Sequence, residues 1–346
     1  MEIETLPQIM LACQVPEVLE IMIDGHEGCT VTINTETFTL FPERENEVYL
    51  RGFRELVRSF ITYYRSTQIK MQIEDIKTGV SEQVTFTVYA CDVEMDAEDA
   101  DAIMKGNRFL TCGHEKRTYA NADEYLYIQK RGSATITSRW IVDGELVTGT
   151  QTVKGAGVGN DCYQYTVSPS IVTCPKAGET KRLLSYTVTA GVAKFSYIMV
   201  HDNAFEPTSF KFYNAFRLIE TLHFFGDRTD ETKVERESGA FYTSYLRNYK
   251  RVQTKSVQVY SGYMLRGELP LLEDLLVAES PTVTCVLTGD KSTGVLITDH
   301  EVKNSESGKD ALVASITYRA SYINPRRHPS SKASRTFADQ FDDSFN

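Results

Sequence analysis

The stretch "KSVQVYSGYMLRGELPLLEDLLVAESPTVTCVLTGDKSTGVLITDHEVKNSESGKDALVASITYRASY", Lys255 to Tyr322, decides the fold. Val257, Val259, Ser261 and Tyr263 recur at every second position, the period of a half-buried strand. Gly267 turns the chain, and Pro270 sits where a first helical turn tolerates a missing N–H. Leu269, Leu272 and Leu276 form an apolar stripe that Leu271 and Leu275 widen. Glu268, Glu273 and Asp274 lie early in this helix, where its dipole favours negative charge. Pro281 disfavours helix at Ser280 and ends it. Val283, Cys285 and Leu287 alternate again, Gly289-Asp290 turns, and Val295 and Ile297 open a strand. Leu312, Ala314, Ile316 and Tyr318 make the last one. The pattern predicts a helix over Leu269–Ala278 packed by Leu272, Leu275 and Leu276 on a sheet containing Val257, Val259, Val283, Cys285 and Ile316.

The N-terminal hundred residues repeat that order. Glu17–Ile23 and Cys29–Phe41 read as strands around a His26-Glu27-Gly28 turn. Val48–Tyr64 reads as a helix, with Leu50, Phe53, Leu56, Val57, Phe60, Ile61 and Tyr64 on one face. A hairpin follows, with Ile69, Met71 and Ile73 on one side and Val84, Phe86 and Val88 on the other. The acidic run Asp92–Asp101 lacks the glycine and terminal glutamate of an EF-hand loop and reads as a solvated linker or helix start.

From Gly106 to His201 the signal is strand. "EYLYIQ", "ATITSRWIVD", "CYQYTV", "SIVTC", "LLSYTVTA" and "AKFSYIMV" stand between Gly, Asp, Asn and Pro turns, the spacing of a sandwich or barrel. Trp140 is a core or sheet-face residue here, with a sugar-stacking platform as its alternative. The glycines of Lys154–Asp161 lack the helix and acidic residue of a dinucleotide site and read as a hairpin loop. Phe210–Phe225 is dense in aromatics, with Glu220-Thr221-Leu222 inside it. Asp227–Gly239 is charged and reads as helix or loop. Tyr242, Tyr245 and Tyr249 interleave with Arg247, Lys250 and Arg251, a mixture that binds single-stranded nucleic acid in other settings. In an acidic chain it favours a protein interface or a sheet face.

The whole therefore reads as mainly β with a few helices (α+β). It divides into a strand-helix-hairpin domain over residues 1–100, a β-sandwich over 101–203, a second strand-helix-hairpin domain over 204–323, and a disordered or docking tail over 324–346.

The segments "LPLLEDLLVAESPTVTCVL", "GVLITDHEV" and "ALVASITYRA" resemble the C-terminal part of minor structural, tail-associated proteins from phages and prophages of Bacteroides-type bacteria. "NRFLTCGHEKRTYANADEYLYI" (Asn107–Ile128), "FKFYNAFRLIETLHFFG" (Phe210–Gly226) and "VYLRGFRELVRSFI" (Val48–Ile61) resemble their middle, central and N-terminal segments, in the same order. These are hydrophobic patterns rather than chemical signatures. The resemblance implies an assembly role in a phage tail, without catalysis.

Composition narrows the partners. A net charge of −10 and a pI near 5.3 argue against duplex nucleic acid and anionic membrane. No stretch approaches the ~20 apolar residues of a membrane span. Met10-Leu11-Ala12-Cys13 loosely resembles a lipoprotein cleavage box, but the segment before it is acidic and interrupted by Pro7. The seven cysteines (13, 29, 91, 112, 162, 174 and 285) form no CxxC pair, so each reads as a small buried hydrophobe in a reducing compartment. The histidines 26, 114, 201, 223, 300 and 328 never fall at ligand spacing. Nucleophile elbow, P-loop, HExxH and triad motifs are absent from the sequence; a carboxylate pair assembled only by the fold is invisible at this level.

The sequence thus predicts a non-enzymatic virion protein of the tail, tail-tip or baseplate region, assembled in the host bacterial cytoplasm, with no cofactor and no metal. Its partners would be itself, in a ring, and other tail proteins, but no nucleic acid and no membrane. The candidate subunit-interface residues are Tyr260, Tyr318, Phe337, Phe341 and Phe345. The competing expectation is a glycan-binding or adhesion module that stacks sugars on Trp140, Tyr163 and Tyr165.

Overall fold

The computed structural model describes residues 2–3, 6–24, 27–44, 46–61, 66–159, 162–201, 207–241, 245–278, 284–286, 293–303 and 312–320. The fold is mainly β, in several sheets, with three α-helices among these residues. The tail 324–346, with Phe337, Phe341 and Phe345, lies outside the described residues, as do the turn at His26, Tyr64, Tyr242 and Val283.

The N-terminal part contains β1 (Glu2–Ile3), β2 (Ile9–Leu11), β3 (Val18–Met22), β4 (Cys29–Ile33), β5 (Glu36–Leu40), β6 (Glu47–Arg51), α1 (Phe53–Phe60), β7 (Ser66–Asp75), β8 (Ser81–Tyr89) and α2 (Ala97–Met104). One sheet runs β1-β3-β6 and the other β2-β8-β7-β4-β5. The expected strand Cys29–Phe41 is a hairpin, because Asn34 takes a left-handed φ of 52° and reverses the chain. The expected helix Val48–Tyr64 begins only at Phe53. Val48 and Leu50 are buried and Tyr49 and Arg51 are not, so these residues also satisfy a period of two, and they pair with β3. Gly52, at a φ of +69°, separates the two states. Phe53 and Val57 then point into the core, and Phe53 meets Phe86 edge-on. Asp96 caps α2 by accepting the Asp99 N–H at 2.7 Å, so the acidic run becomes a helix start.

The middle part contains β9 (Glu115–Thr118), β10 (Tyr125–Gln129), β11 (Ser133–Val142), β12 (Glu145–Lys154), β13 (Ala156–Gly157), β14 (Cys162–Thr166), β15 (Lys181–Ala190) and β16 (Ala193–Met199). They form sheets ordered β12-β11-β15-β16-β9 and β10-β14-β13. "SIVTC" is not a strand: Pro169, Ser170 and Ile171 form a 3-10 turn, which a proline at its start favours over pairing.

The C-terminal part contains β17 (Thr208–Tyr213), β18 (Ile219–Phe224), β19 (Arg228–Phe241), β20 (Tyr245–Met264), α3 (Leu269–Val277), β21 (Thr284–Val286), β22 (Thr293–Lys303) and β23 (Leu312–Ala320). All eight except α3 join one seven-stranded sheet, ordered β18-β17-β21-β22-β23-β20-β19. The helix appears where Pro270 and the leucines place it. Its wholly buried side chains are Leu271, Leu272 and Leu275, while Leu276 is half-buried. It packs against β17 and β18, toward the opposite end of the sheet from β20. Leu271 also fits against Gly113, where an added Cβ would lie 2.7 Å from its Cγ.

One apolar cluster joins the middle part to the C-terminal sheet through Tyr186, Phe195, Phe210, Leu272 and Ile316. A second fills the N-terminal part and reaches Tyr127, Cys162, Phe216 and Leu218.

Candidate functional site: a buried ionic junction and a projecting ribbon

The short parallel pairing of β9 with β16 places two adjacent cations, Lys116 and Arg117, at the edge of the middle sheet. Adjacent residues on a strand face opposite ways, and each cation finds its own acid. Lys116 is wholly buried, with its Nζ 2.7 Å from Glu220 and 2.8 Å from Glu124. It also donates to the Thr221 carbonyl at 2.8 Å. Glu220 sits on β18 and accepts from the Thr111 hydroxyl at 3.0 Å. Glu124 accepts from the Thr118 hydroxyl at 2.8 Å and contacts His223 Nε2 at 2.9 Å. The other ring nitrogen of His223 meets the Ser209 hydroxyl at 2.7 Å. Arg117 donates through Nε to Glu268 at 2.8 Å and through Nη1 to the Ser261 carbonyl at 3.0 Å. Glu268 also accepts the Arg117 and Leu265 N–H groups, which anchors the turn that enters α3.

Burial pulls the Lys116 pKa down, but the charges of Glu124 and Glu220 outweigh it and hold the group above the ordinary lysine range. Burial likewise pushes Glu124 up, and Lys116 and His223 outweigh it to hold the carboxyl below its usual range. Nearby, burial raises Asp274 against the N–H of Ala215 and the thiol of Cys112. Glu124 and Glu220 form a carboxylate pair assembled only by the fold. Both are buried and bridged by an ammonium, an arrangement that joins two sheets rather than facing a solvent-filled cleft. A cleft of about 310 Å³ lies elsewhere, between Leu276 and Ala278 on one side and Val295, Ile297, Asp299 and His300 on the other.

Sequence reasoning missed this junction because its partners are far apart, 104 residues in the case of Lys116 and Glu220. One signal was readable: Glu220 is an acid inside the aromatic run of β18, where burial obliges it to find a cation.

The ribbon has the opposite character. The charged stretch read as helix or loop is strand β19. The β19–β20 ladder runs from Arg228 opposite Val259 to Phe241 opposite Tyr245. β23 accompanies β20 only from Val257 to Met264. Glu231–Phe241 and Tyr245–Ser256 therefore have only each other as ladder neighbours among the described residues. At about 3.4 Å per residue this two-stranded ribbon reaches about 40 Å. Every residue from Asp227 to Val234 is exposed, while opposite them on β20 Thr254 and Ser256 are half-buried.

Of the candidate interface residues, Tyr260 is 37% exposed and stands near the foot of the ribbon. Tyr263, which the alternation placed on one face with Val259 and Ser261, lies across a bulge from Tyr260 and is 78% exposed; the bulge turns it outward, and it was not among the interface candidates. Tyr318 differs from expectation: it is 5% exposed and edge-on to Phe210 at 5.4 Å, hence a core residue. The sugar-stacking candidates are also engaged. Trp140 packs on the core and donates its N–H to the Ser138 hydroxyl at 3.0 Å. Tyr165 is wholly buried and donates to the Arg131 carbonyl, and Tyr163 packs on the same core. Met10, Leu11 and Ala12, the residues before Cys13, are core residues as well. Among the described residues no cluster of three His, Cys, Asp or Glu is placed to hold a metal ion, and no helix is long and apolar enough to cross a membrane.

No family model and no curated protein matches the chain. Two solved structures of the plexin A4 full extracellular region, covering domains 1 to 8 and 1 to 10, align with 93% of it at 11% identity. The TM-scores are 0.21 and 0.22, and the chain spans 40% and 31% of those structures' lengths. Likeness at that level carries no argument about function.

Proposed function

We propose that the protein is a non-enzymatic structural component of a phage virion, in the tail, tail-tip or baseplate region, and that it works by self-association into a ring. The observation that carries this reading is the β19–β20 ribbon. A two-stranded hairpin alone is marginally stable in water, and among the described residues this one extends past the other strands of its sheet. A ribbon of this length is a poor element for an isolated chain and a good one for a chain that meets a neighbour. The edge of β19 that no described strand pairs offers backbone groups for strand addition. The resemblance to tail-associated proteins agrees with a chain built to hold its neighbours.

The sugar-stacking alternative is disfavoured, because Trp140, Tyr163 and Tyr165 are occupied with the core. Light scattering and electron microscopy of the purified chain test the proposal. Closed rings at micromolar concentration support it. A monomer at high concentration that binds no tail protein counts against it, and glycan-array binding revives the adhesion reading.

A further inference from the structure

The cleft of about 310 Å³ between the end of α3 and β22 belongs neither to the ionic junction nor to the ribbon. One end of it is apolar. Leu276, Ala278 and Ile297 are half-buried there and pack on the core beneath, beside the buried Val295. At the other end Asp299 and His300 are exposed. The change comes at a bulge: Ile297 stands opposite Tyr318 and Asp299 opposite Thr317, so Thr298 is an extra residue in β22. Such a residue bends its strand, and here it shapes the cleft wall. Val277, between two residues of the opposite wall, is 78% exposed. An apolar concavity of this kind is a place for an occupant.

The course of the chain names the occupant. β23 ends at Ala320, directly opposite Val295. Residues opposite each other in an antiparallel pair share a face, so the chain leaves the sheet on the cleft side, beside a residue that lines the cleft. The 26 residues that follow, 321–346, lie outside the described residues. Their sequence carries Phe337, Phe341 and Phe345 at every fourth position, which on a helix is one face, with Asp339 and Asp343 on the other. Arg326 and Arg327 come earlier and complement Asp299 at the rim. Sixteen residues separate Ala320 from Phe337. A chain of that length spans about 20–24 Å root-mean-square, and the wall from Val295 to His300 is about 17 Å long at about 3.4 Å per residue. A tether matched to its span gives the highest effective concentration, which favours the chain's own tail over a neighbour's.

We propose that this cleft is the seat of the chain's own C-terminal segment, residues 337–345, held by Phe341 and a flanking phenylalanine. The size agrees: an apolar cavity of about 150 Å³ takes one benzene ring, so about 310 Å³ takes two. The rings cover Leu276, Ala278 and Ile297, and the acidic residues between them stay in water, away from Asp299. The seat does not rest on the ring reading.

The test places a photoreactive phenylalanine, p-benzoylphenylalanine, at position 341 of the full chain. The chain is irradiated, run on a denaturing gel and digested for peptide mapping. The expected product migrates as one chain, with position 341 joined to residues 276–278 or 295–300. Adding Phe337→Ser and Phe345→Ser should lower that yield several-fold and leave the circular dichroism unchanged. In a chain with all three phenylalanines replaced by serine, diethyl pyrocarbonate should modify His300 several-fold faster than in the parent. Cross-links to other parts of the chain, none above the dark control, or an unchanged rate at His300 overturn the proposal. A product that migrates as two chains joined at the cleft gives the seat to a neighbour's tail and overturns the own-chain assignment. A ring that forms without the own-chain cross-link removes the seat and leaves the ring reading standing.

Discussion

The junction at Lys116 and the ribbon beyond Glu231 both carry many charges, and they treat them in opposite ways. At the junction each buried charge meets a counter-charge at about 2.7–2.8 Å, and the carboxylates also accept from neighbouring hydroxyl groups. From Asp227 to Val234, where the ribbon begins, every residue is exposed and the charged ones stand in water. Burying charge is costly unless partners are fixed in place, so the junction presupposes a defined arrangement of the middle and C-terminal sheets within one chain. Extending two strands with no described strand alongside gains little for that same chain. The first region looks after the fold, and the second is available to a neighbour.

The largest effect expected from breaking this contrast is at Lys116. Lys116→Met leaves Glu124 and Glu220 buried without their cation and should cost about 3–5 kcal/mol in denaturant unfolding. Adding Glu124→Gln and Glu220→Gln should recover much of the loss, because no unpaired charge then remains. A single variant as stable as the parent would mean that the junction is open to water.

Next come the two tyrosines, whose sequence-level roles were the same and whose surroundings are not. Tyr318→Ala removes a core ring beside Phe210 and should cost about 3–5 kcal/mol. Tyr260→Lys, at a surface position, should stay within about 0.5 kcal/mol and act on self-association instead. Equal losses of stability from both would erase the distinction between core and interface.

Acid offers a smaller and graded test. Glu124 is held below its usual range mainly by Lys116 against the effect of burial. Asp75 is held low by the backbone N–H groups of Thr78, Asp24 and Lys77. For carboxylates depressed in the folded state, the stabilisation is fully present above the unfolded value near 4 and is lost as pH falls through the folded value. Lys116 is raised, so its contribution is present below about 10.4 and is lost only as pH rises through its folded value. Unfolding free energy should therefore fall by about 1–3 kcal/mol on going from pH 7 to 3, with the raised Asp274 opposing part of the loss, and should decline again above about pH 8.5, where the buried thiols Cys29 and Cys112 ionise only in the unfolded chain. A profile flat to pH 3 would contradict the account of Glu124 and Asp75.

How much of this was legible in the sequence depends on the range of the forces involved. The helix at Leu269 was, because Pro270 and a leucine stripe are local signals. The β7–β8 hairpin was, because alternation is local too. Val48–Arg51 was misread since its residues satisfy both periods, and only pairing with β3 decides between them. β19 was misread because its charged residues leave no apolar alternation to show, and from Arg228 to Val234 the residues on both of its faces are exposed. The junction was out of reach: Arg117 and Glu268 are 151 residues apart, and nothing near either one names the other.

The ribbon itself gives the most direct test of the central claim. Replacing Thr232–Lys255 by a two-residue Asn-Gly turn keeps the pairs from Arg228 to Glu231 with Ser256 to Val259 and removes the projecting part. Size-exclusion chromatography with light scattering, at matched concentrations, compares this variant with the full chain. The account predicts a defined oligomer for the full chain and a folded monomer for the shortened one, with melting temperatures within a few degrees. A shortened chain that assembles as the full chain does would contradict it.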